Sequence, residues 1–420
     1  MRSRRLAAAC LALALAAGAA ACGSSSASSS SSSSPAAQGQ GTGPNVTGTP
    51  IVIGSVGTYS ATTGAFASPG KPAIEAWASW VNSHGGINGH PVKLIVKDNM
   101  NDQAQAVSLV KQLVEQDHVI AFVSNQDGSL DAGYASYLEQ KRIPVVGGSV
   151  FTLQPWVSNP MFFPEGLTAI QDVASLALSA RQLGYSKVGS LACSEAAQCA
   201  AAGVLAKAVF SQAGLTYVYG GLVSSTAPDY TASCLAAEQK GVKALVLIIP
   251  TAAEGQTIAG DCQRQNYTPS YIIPGEAIGA GYLQTSSFNN AFTSSPTLPW
   301  FSTAPALNDF HAAMKQYSTI NLDKVEEPLT ATDAWVSGLM FAEAVKLSGA
   351  KGIPTSANIL AGLAKFKNET LGGMAAGLTY TNPTNKVESC YFAIQIKNQH
   401  FTLPNGATPS CVPSAPGAAG

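Results

Sequence analysis

Six cysteines in the body of the chain are its most reactive side chains, and their spacing limits the chemistry they can perform. No two of them form a Cys-x-x-Cys motif, and the five histidines have no partner at metal-ligand spacing. The sequence therefore predicts no metal site and no other cofactor. The six residues are Cys193, Cys199, Cys234, Cys262, Cys390 and Cys411.

An even number of cysteines favours disulfides in an exported chain, with free buried thiols as the alternative. Six cysteines can pair in 15 ways, and the sequence alone does not choose among them. The simplest set joins neighbours along the chain: Cys193 with Cys199, Cys234 with Cys262, and Cys390 with Cys411.

The N-terminal segment is typical of a secretion signal. A basic stretch, Met1 to Arg5, precedes an apolar stretch, Leu6 to Ala17, that is too short for a good membrane span. The small residues "AGAAAC" then lead to Cys22 and resemble the bacterial lipoprotein box, with Ala19 where leucine is more usual. We therefore expect residues 1–21 to be a signal peptide. The alternative is an ordinary cleavage site beside an incidental cysteine.

Lipidation would make Cys22 the mature N-terminus, with acyl chains that contribute about 0.8 kcal/mol per buried methylene to membrane binding. Residues 22–50 would form the lipidated end and a disordered Ser-rich tether, whose end-to-end distance is about 30 Å. We expect an exported protein anchored by lipid to the outer face of the bacterial cytoplasmic membrane. Residues 413–420 are predicted to be a disordered tail.

Composition argues against nucleic acid as a partner. Apolar residues make up 46% of the chain and charged residues 11%, which is typical of globular domains with few surface charges. Without Arg2, Arg4 and Arg5 the chain has 20 basic and 24 acidic residues, and no basic block that could follow a phosphate backbone.

Enzyme motifs are also missing. The sequence has no G-x-S-x-G, H-E-x-x-H, Walker loop or G-x-G-x-x-G after a strand, so it does not predict an enzyme. The segment "DNMND" (98–102) lacks the downstream glycine and glutamate of a calcium loop and predicts a turn with a helix cap instead.

The positions of these residues depend on regularly alternating strands and helices. "IVIGSV" (51–56) is typical of a strand buried on both faces, and a helix with Ile74, Trp77, Trp80 and Val81 on one side follows it. The alternation continues to about residue 148 and restarts with a helix at 168–184. We also expect a strand at "WFST" (300–303), helices near 305–317 and 329–348, and a final strand at 389–397.

Such alternation predicts parallel sheets covered by helices on both faces, with ligands at the carboxyl ends of the strands. A chain of 420 residues is long enough for two such sheets, each with its own core.

Several stretches in this order resemble the extracytoplasmic solute-binding proteins of type I fold, in particular the leucine/isoleucine/valine-binding group of ABC transporters. The resemblance covers most of residues 50–412, and the turn Gly-Gly-Ile-Asn-Gly followed by D-N-x-x-D-Q-A-Q-A-V is its most specific part. The stretches are "IVIGSVGTYSATTGAF", "AWASWVNSHGGINGHPVKLIVKDNMNDQAQAV", "RIPVVGGS" and "IIPGEAIG".

The resemblance implies an α/β protein with two doubly wound parallel-sheet lobes joined by three hinge crossings, near Pro164–Gly166, Pro299–Pro305 and Leu378–Val387. Lobe 1 would contain residues 51–164 and 300–380, and lobe 2 residues 165–299 and 381–412. It also implies a monomer that closes on a small solute, an amino acid or related zwitterion or carboxylate, and delivers it to ABC transporter permease subunits. The alternative is a ligand-sensing receptor component that signals through a membrane partner.

The family's ligand contacts in the first lobe fall on residues after the first, third and fourth strands, where hydroxyl and backbone N–H groups can bind a carboxylate. Capping and turn roles are the alternatives for the two serines. These positions are Phe66, Gln126, Gly128, Ser129, Ser149, Val150 and Phe151.

In the second lobe, Glu276 matches the acidic residue that receives the ligand's ammonium group in this family. A solvated loop glutamate is the alternative. Thr251 matches a second ligand-contact position of the family. Glu254, in the same "TAAEG" segment, is a weaker candidate for a ligand contact than Thr251. Ala197, in "CSEAAQC", stands where relatives that bind aliphatic amino acids have an aromatic ring, so the resemblance does not fix the solute.

Overall fold

A computed structural model describes the chain in residues 46, 48–60, 68–128, 130–148, 153–195, 197–249, 251–380 and 390–411. Strands and helices alternate along most of this length. In chain order they are β1 Ile51–Gly57, α1 Gly70–Ser83, β2 Val92–Asp98, α2 Gln103–Glu115, β3 Phe122–Asn125, α3 Ala135–Lys141, β4 Val145–Gly148, α4 Leu153–Ser158, β5 Phe162–Phe163, α5 Ala169–Gln182, β6 Lys187–Cys193, α6 Ala197–Gln212, β7 Thr216–Val223, α7 Thr231–Gln239, β8 Ala244–Ile248, α8 Ala252–Arg264, β9 Ser270–Ile272, β10 Phe292–Ser295, α9 Asn308–Tyr317, α10 Leu329–Ser348, α11 Ser356–Leu363, β11 Cys390–Lys397, β12 His400–Thr402 and β13 Ser410–Cys411.

The first sheet has the strand order β2-β1-β3-β4-β5, and all its neighbouring strands are parallel. Ile51 and Ile53 of β1 pack into the core formed with α1, α9 and α10, whereas Val56 packs into the core formed with α2 and α3. Both faces are therefore covered by helices, which explains why β1 is an almost continuous apolar run.

The second sheet has the order β12-β11-β10-β9-β8-β6-β7. The pairs from β6 to β10 are parallel, while β11 joins β10 and β12 in antiparallel fashion. Helices α5 and α6 cover one face around Phe210, and α7 and α8 cover the other around Leu245 and Ile258. The predicted α/β class is confirmed: the first sheet is parallel, and the second is parallel from β6 to β10 with an antiparallel edge at β11 and β12.

The chain passes between the two sheets more than once. The chain leaves the first sheet after β5, enters the second with α5, and returns after β10 to α9, α10 and α11. Helix α10 packs against α1 so closely that a Cβ on Gly338 would lie 2.3 Å from the Trp77 ring. The chain reaches β11 through residues 381–389, so most of the third predicted crossing lies outside the described residues.

The predicted strand at "WFST" is wrong. Residues 300–303 form a turn and irregular backbone, and the strand that pairs with β9 and β11 is β10, Phe292–Ser295. Proline at 299 and 305 restricts the backbone on both sides of "WFST". Trp300 instead contacts the Phe401 ring edge-on, and Phe301 stacks on it. Three of the four residues of strand β10 are serine or threonine, so its composition gave no strand signal.

All three neighbouring cysteine pairs form disulfides, as the simplest pairing predicts. One joins the end of β6 to the first turn of α6, one joins α7 to α8, and one joins β11 to β13. The pairs are Cys193–Cys199, Cys234–Cys262 and Cys390–Cys411.

Candidate functional site

The carboxyl ends of β1, β3 and β4 meet at one edge of the first sheet, where ligand contacts are predicted. Gln126 and Gly128 lie there, after β3. The other five predicted first-lobe contacts lie outside the described residues: Phe66, Ser129, Ser149, Val150 and Phe151.

Tyr59, two residues after the end of β1, is a polar residue of this edge that the sequence did not single out. Its hydroxyl lies 3.2 Å from the Ser55 hydroxyl, which donates to the Ser124 carbonyl at 2.8 Å. Its backbone N–H donates to Asp98 Oδ1 at 3.2 Å. Burial raises the pKa of Tyr59, so the phenol stays protonated and can donate a hydrogen bond.

Gln126 connects the end of β3 to neighbouring elements. Its N–H donates to the Val56 carbonyl at 3.0 Å, its carbonyl accepts from Thr58 N–H at 2.9 Å, and its Nε2 donates to the Thr330 carbonyl in α10 at 3.2 Å. The side chain is 1% exposed. Gln126 therefore holds the start of α10 against the first sheet, and a ligand role remains a prediction.

Buried carboxylates stabilise the loop after β3. The Tyr134 hydroxyl donates to Asp127 Oδ2, and Asn125 Nδ2 donates to the Tyr134 hydroxyl at 3.1 Å. Trp156 Nε1 donates to Asp131 Oδ2 at 2.5 Å. Burial raises the pKa of Asp127, and the nearby Asp131 carboxylate raises it further. These bonds fix the path of the backbone that carries the predicted contacts.

Two further buried carboxylates hold the segments that follow β5 and β10. Glu165 Oε2 accepts from Gly148 N–H, at the end of β4, at 2.8 Å. Asp333 Oδ1, in α10, accepts from the Thr297 hydroxyl at 2.7 Å. Burial raises the pKa of both groups, and the charge of Asp333 raises that of Glu165 further. The first bond ties the segment after β5 to β4 of the first sheet, and the second ties the segment after β10 to α10.

At the carboxyl edge of the second sheet, Glu195 follows β6 as an exposed, ionised carboxylate. Its Oε1 accepts from the Ser224 hydroxyl at 2.6 Å and from Ser225 N–H at 2.7 Å. The Ser224 bond is the main cause of a pKa lowered to about 2. The Cys193–Cys199 disulfide spans the same loop, so its backbone is anchored at both ends.

The structure gives partial positions for the other second-lobe predictions. Thr251 is exposed and caps α8, because its Oγ1 accepts from Glu254 N–H at 3.2 Å. Ala197 begins α6, and Glu276 lies in a 3₁₀ turn, Gly275–Ala277, after β9. The side chains of Ala197 and Glu276 lie outside what the structure describes.

The described residues contain no candidate metal site and no candidate membrane-spanning helix. Within the described ranges, no three His, Cys, Asp or Glu side chains are placed to hold a metal ion. No described helix has both the length and the apolar character needed to cross a bilayer. The predicted lipidation residue, Cys22, lies outside the described residues.

Comparison with known proteins gives one family match over most of the chain. The family model described as "Periplasmic binding protein" matches residues 50–400. A curated relative from Pseudomonas aeruginosa, named "Amino acid binding protein", is 26% identical over 120 residues. That alignment covers 29% of this chain and 30% of the relative's length.

Solved structures with the same fold cover most of this chain. A valine-bound branched-chain amino acid ABC transporter protein from Thermus thermophilus has a TM-score of 0.72 at 16% identity, covering 86% of this chain and 96% of its own. A solute-binding protein from Rhodopseudomonas palustris HaA2, in complex with p-hydroxybenzoic acid, has a TM-score of 0.67 at 14% identity, covering 86% and 97%. A leucine-binding protein from Thermotoga maritima has 0.66 at 12% identity, covering 84% and 97%.

Proposed function

We propose, because the chain belongs to the periplasmic binding protein family, that it captures a small solute between two lobes and delivers it to the permease subunits of an ABC importer. The observation that carries this proposal is the family match over residues 50–400, on a chain with two parallel sheets and connecting segments between them. Binding and release, with no bond made or broken, is the whole of the proposed activity.

The proposed solute is an amino acid or a related zwitterion or carboxylate. Glu276 lies after β9, at the carboxyl edge of the second sheet, where a carboxylate can meet an ammonium group. A desolvated carboxylate is costly unless a cation pairs with it, so such a site selects for cationic or zwitterionic solutes. Hydrogen-bond donors at the strand ends of the first sheet would receive the solute's carboxylate.

Closure would follow from contacts that the solute makes with both lobes at once. A ligand shifts an equilibrium between open and closed states only by its differential affinity for them. We place lobe 1 in residues 51–164 and 300–380 and lobe 2 in residues 165–299 and 381–412. In that division, Glu165 and Thr297 belong to lobe 2. Their hydrogen bonds to Gly148 and Asp333, in lobe 1, would limit where the chain can bend between the lobes.

The proposed location is the outer face of the cytoplasmic membrane. Lipidation of Cys22 would hold the monomer at the bilayer, and the Ser-rich tether would let it reach its permease. Permease contact and membrane anchoring both rest on the family and on the leader sequence.

Calorimetry with amino acids, aromatic acids and other small carboxylates tests this function. We expect at least one zwitterion to bind with a saturable heat signal, and Glu276→Gln to weaken it about 10- to 100-fold, the value of a charge-assisted hydrogen bond. Glu238→Gln, on the exposed side of α7, makes the same charge change away from the cleft and should leave binding unchanged. Equal affinities of the wild-type chain and Glu276→Gln would contradict the assigned role of Glu276.

A further inference from the structure

A cavity of about 340 Å³ lies beside α9 and is open to solvent. Three parts of the chain line it: Trp300, one side of α9, and residues 318–323, which follow that helix. Small-molecule sites in proteins usually occupy clefts of about 300–1,000 Å³. None of the predicted solute contacts is among the described residues that line this cavity, so its residues are separate from those of the proposed solute site.

The walls of the cavity are largely apolar. Trp300 is 4% exposed, Met314 is 7% exposed, and Phe310 is fully buried. Met314 lies four residues after Phe310, so both are on the side of α9 that faces the cavity. Ile320 and Leu322, from the segment after α9, are half-buried and also line it. A flat apolar ring would bury its surface against the indole, the thioether and these two aliphatic side chains.

Hydrogen bonds and a ring contact hold Trp300 in place at the cavity. Its Nε1 donates to Asp323 Oδ1 at 3.1 Å, which joins it to the segment after α9. His311 Nε2 lies 2.7 Å from the Trp300 carbonyl, and because a carbonyl only accepts, that nitrogen carries the proton. The indole also contacts the Phe401 ring edge-on, with 5.2 Å between the ring centroids. This wall of the cavity is therefore preformed, as in most small-molecule sites.

Lys315 gives the cavity a cationic group with no ion-pair partner in the described part of the chain. It is exposed and lines the cavity from α9. The ion pairs found among the described residues involve other side chains, Arg264 with Asp261 and Lys346 with Glu343. Asp323, the acidic residue among the described lining residues, accepts from Trp300 Nε1 instead. The Lys315 ammonium is therefore free to meet a ligand, and an anionic oxygen is its counterpart.

We propose that this cavity is a second ligand site, which binds a small aromatic carboxylic acid. The ring of the acid would lie between Trp300, Met314 and the aliphatic side chains of Ile320 and Leu322, and its carboxylate would pair with Lys315. The proposal goes beyond solute capture between the lobes and does not depend on it, because the two sites share no assigned residue.

Methyl spectroscopy of the full chain, labelled with ¹³C at its methionine methyl groups, tests the proposal with phenylacetate as the probe. Met314 lines the cavity, whereas Met161 and Met340 are buried elsewhere, at the start of β5 and in α10. We expect phenylacetate to shift the Met314 signal saturably and to leave those of Met161 and Met340 in place. The Met314 signal, identified by its loss in Met314→Leu, also separates this cavity from the proposed solute site, where an aromatic acid could bind as well.

The charge of the probe tests the role of Lys315. Phenylacetamide has the same ring and no charge, and it should bind about 3- to 10-fold more weakly than phenylacetate, the range between an exposed ion pair and a charge-assisted hydrogen bond. Lys315→Gln should weaken phenylacetate by the same factor and leave phenylacetamide unchanged. Lys207→Gln, on the exposed side of α6, makes the same charge change away from the cavity and should alter neither affinity.

Three results would overturn the proposal. A Met314 signal that stays in place at saturating phenylacetate would show that the cavity is not a site for such acids. Equal shifts at Met314, Met161 and Met340 would show a change of the whole protein and no local site. Phenethylamine binding as tightly as phenylacetate would contradict the carboxylate assignment. The comparison of the three probes needs no variant for its affinities, so it remains decisive even if Lys315→Gln does not fold.

Discussion

Removal of the three disulfides one at a time should destabilise the protein in a definite order. The cross-links close loops with sequence separations of 6, 21 and 28 residues. Loop-closure entropy in the unfolded chain then gives about 2.2 kcal/mol for Cys193–Cys199, about 3.3 for Cys390–Cys411 and about 3.6 for Cys234–Cys262. Alanine replaces each cysteine pair, since it leaves no free thiol behind.

Urea unfolding under non-reducing conditions measures these differences. We expect the double variant Cys234→Ala/Cys262→Ala to lose about 1.4 kcal/mol more than Cys193→Ala/Cys199→Ala, by the same loop-entropy relation. The smaller loop follows β6 and contains Ala197, a predicted ligand contact. Removal of the Cys193–Cys199 disulfide should therefore lower the free energy of solute binding more than it lowers the free energy of unfolding. A greater loss of stability from the Cys193–Cys199 pair than from Cys234–Cys262 would refute the reasoning.

Three other perturbations have clear expected results. Asp333→Asn keeps an oxygen for the Thr297 hydroxyl. Because burial raises the folded-state pKa of Asp333, the stability of the wild-type protein falls as pH rises above about 4, where the unfolded carboxyl ionises. Melting curves should show a higher melting temperature for the variant than for wild type at pH 8, and a much smaller difference at pH 5. An equal difference at both pH values would contradict the assignment. Gly338→Ala would place a methyl group against the Trp77 ring and should cost about 1–3 kcal/mol by overpacking, measured by urea unfolding, and an unchanged midpoint would argue against the α1–α10 contact. Cys22→Ala should abolish a lipid adduct found by mass spectrometry of membrane fractions, and an unmodified wild-type peptide containing both Ala21 and Cys22 would rule lipidation out.

Apolar periodicity predicted the parts of the fold that depend on local pattern. Strand β1 is an almost continuous apolar run, and α10 spans the predicted residues 329–348, because both are buried over most of their length. Strand β10 was missed because its sequence, Phe-Thr-Ser-Ser, is determined by pairing with β9 and β11 and not by its own composition. Tertiary pairing overrode local propensity there.

Contacts at the candidate site were predictable only where both partners lie in one short segment of the sequence. Thr251 caps α8 within its own first turn, a contact that short-range spacing predicts. Gln126 and Thr330 are 204 residues apart in the sequence, and their hydrogen bond forms only because α10 packs against β3 and β4. A single sequence contains no signal for such a contact, because it depends on how distant elements pack.

Small-angle scattering combined with calorimetry, during titration with a panel of amino acids and diamines, tests the central claim of solute capture between two lobes. The account predicts a saturable heat signal for at least one compound and a decrease in radius of gyration at the same ligand concentration, as the lobes close. A scattering profile and a heat signal that both stay constant across the panel would contradict it.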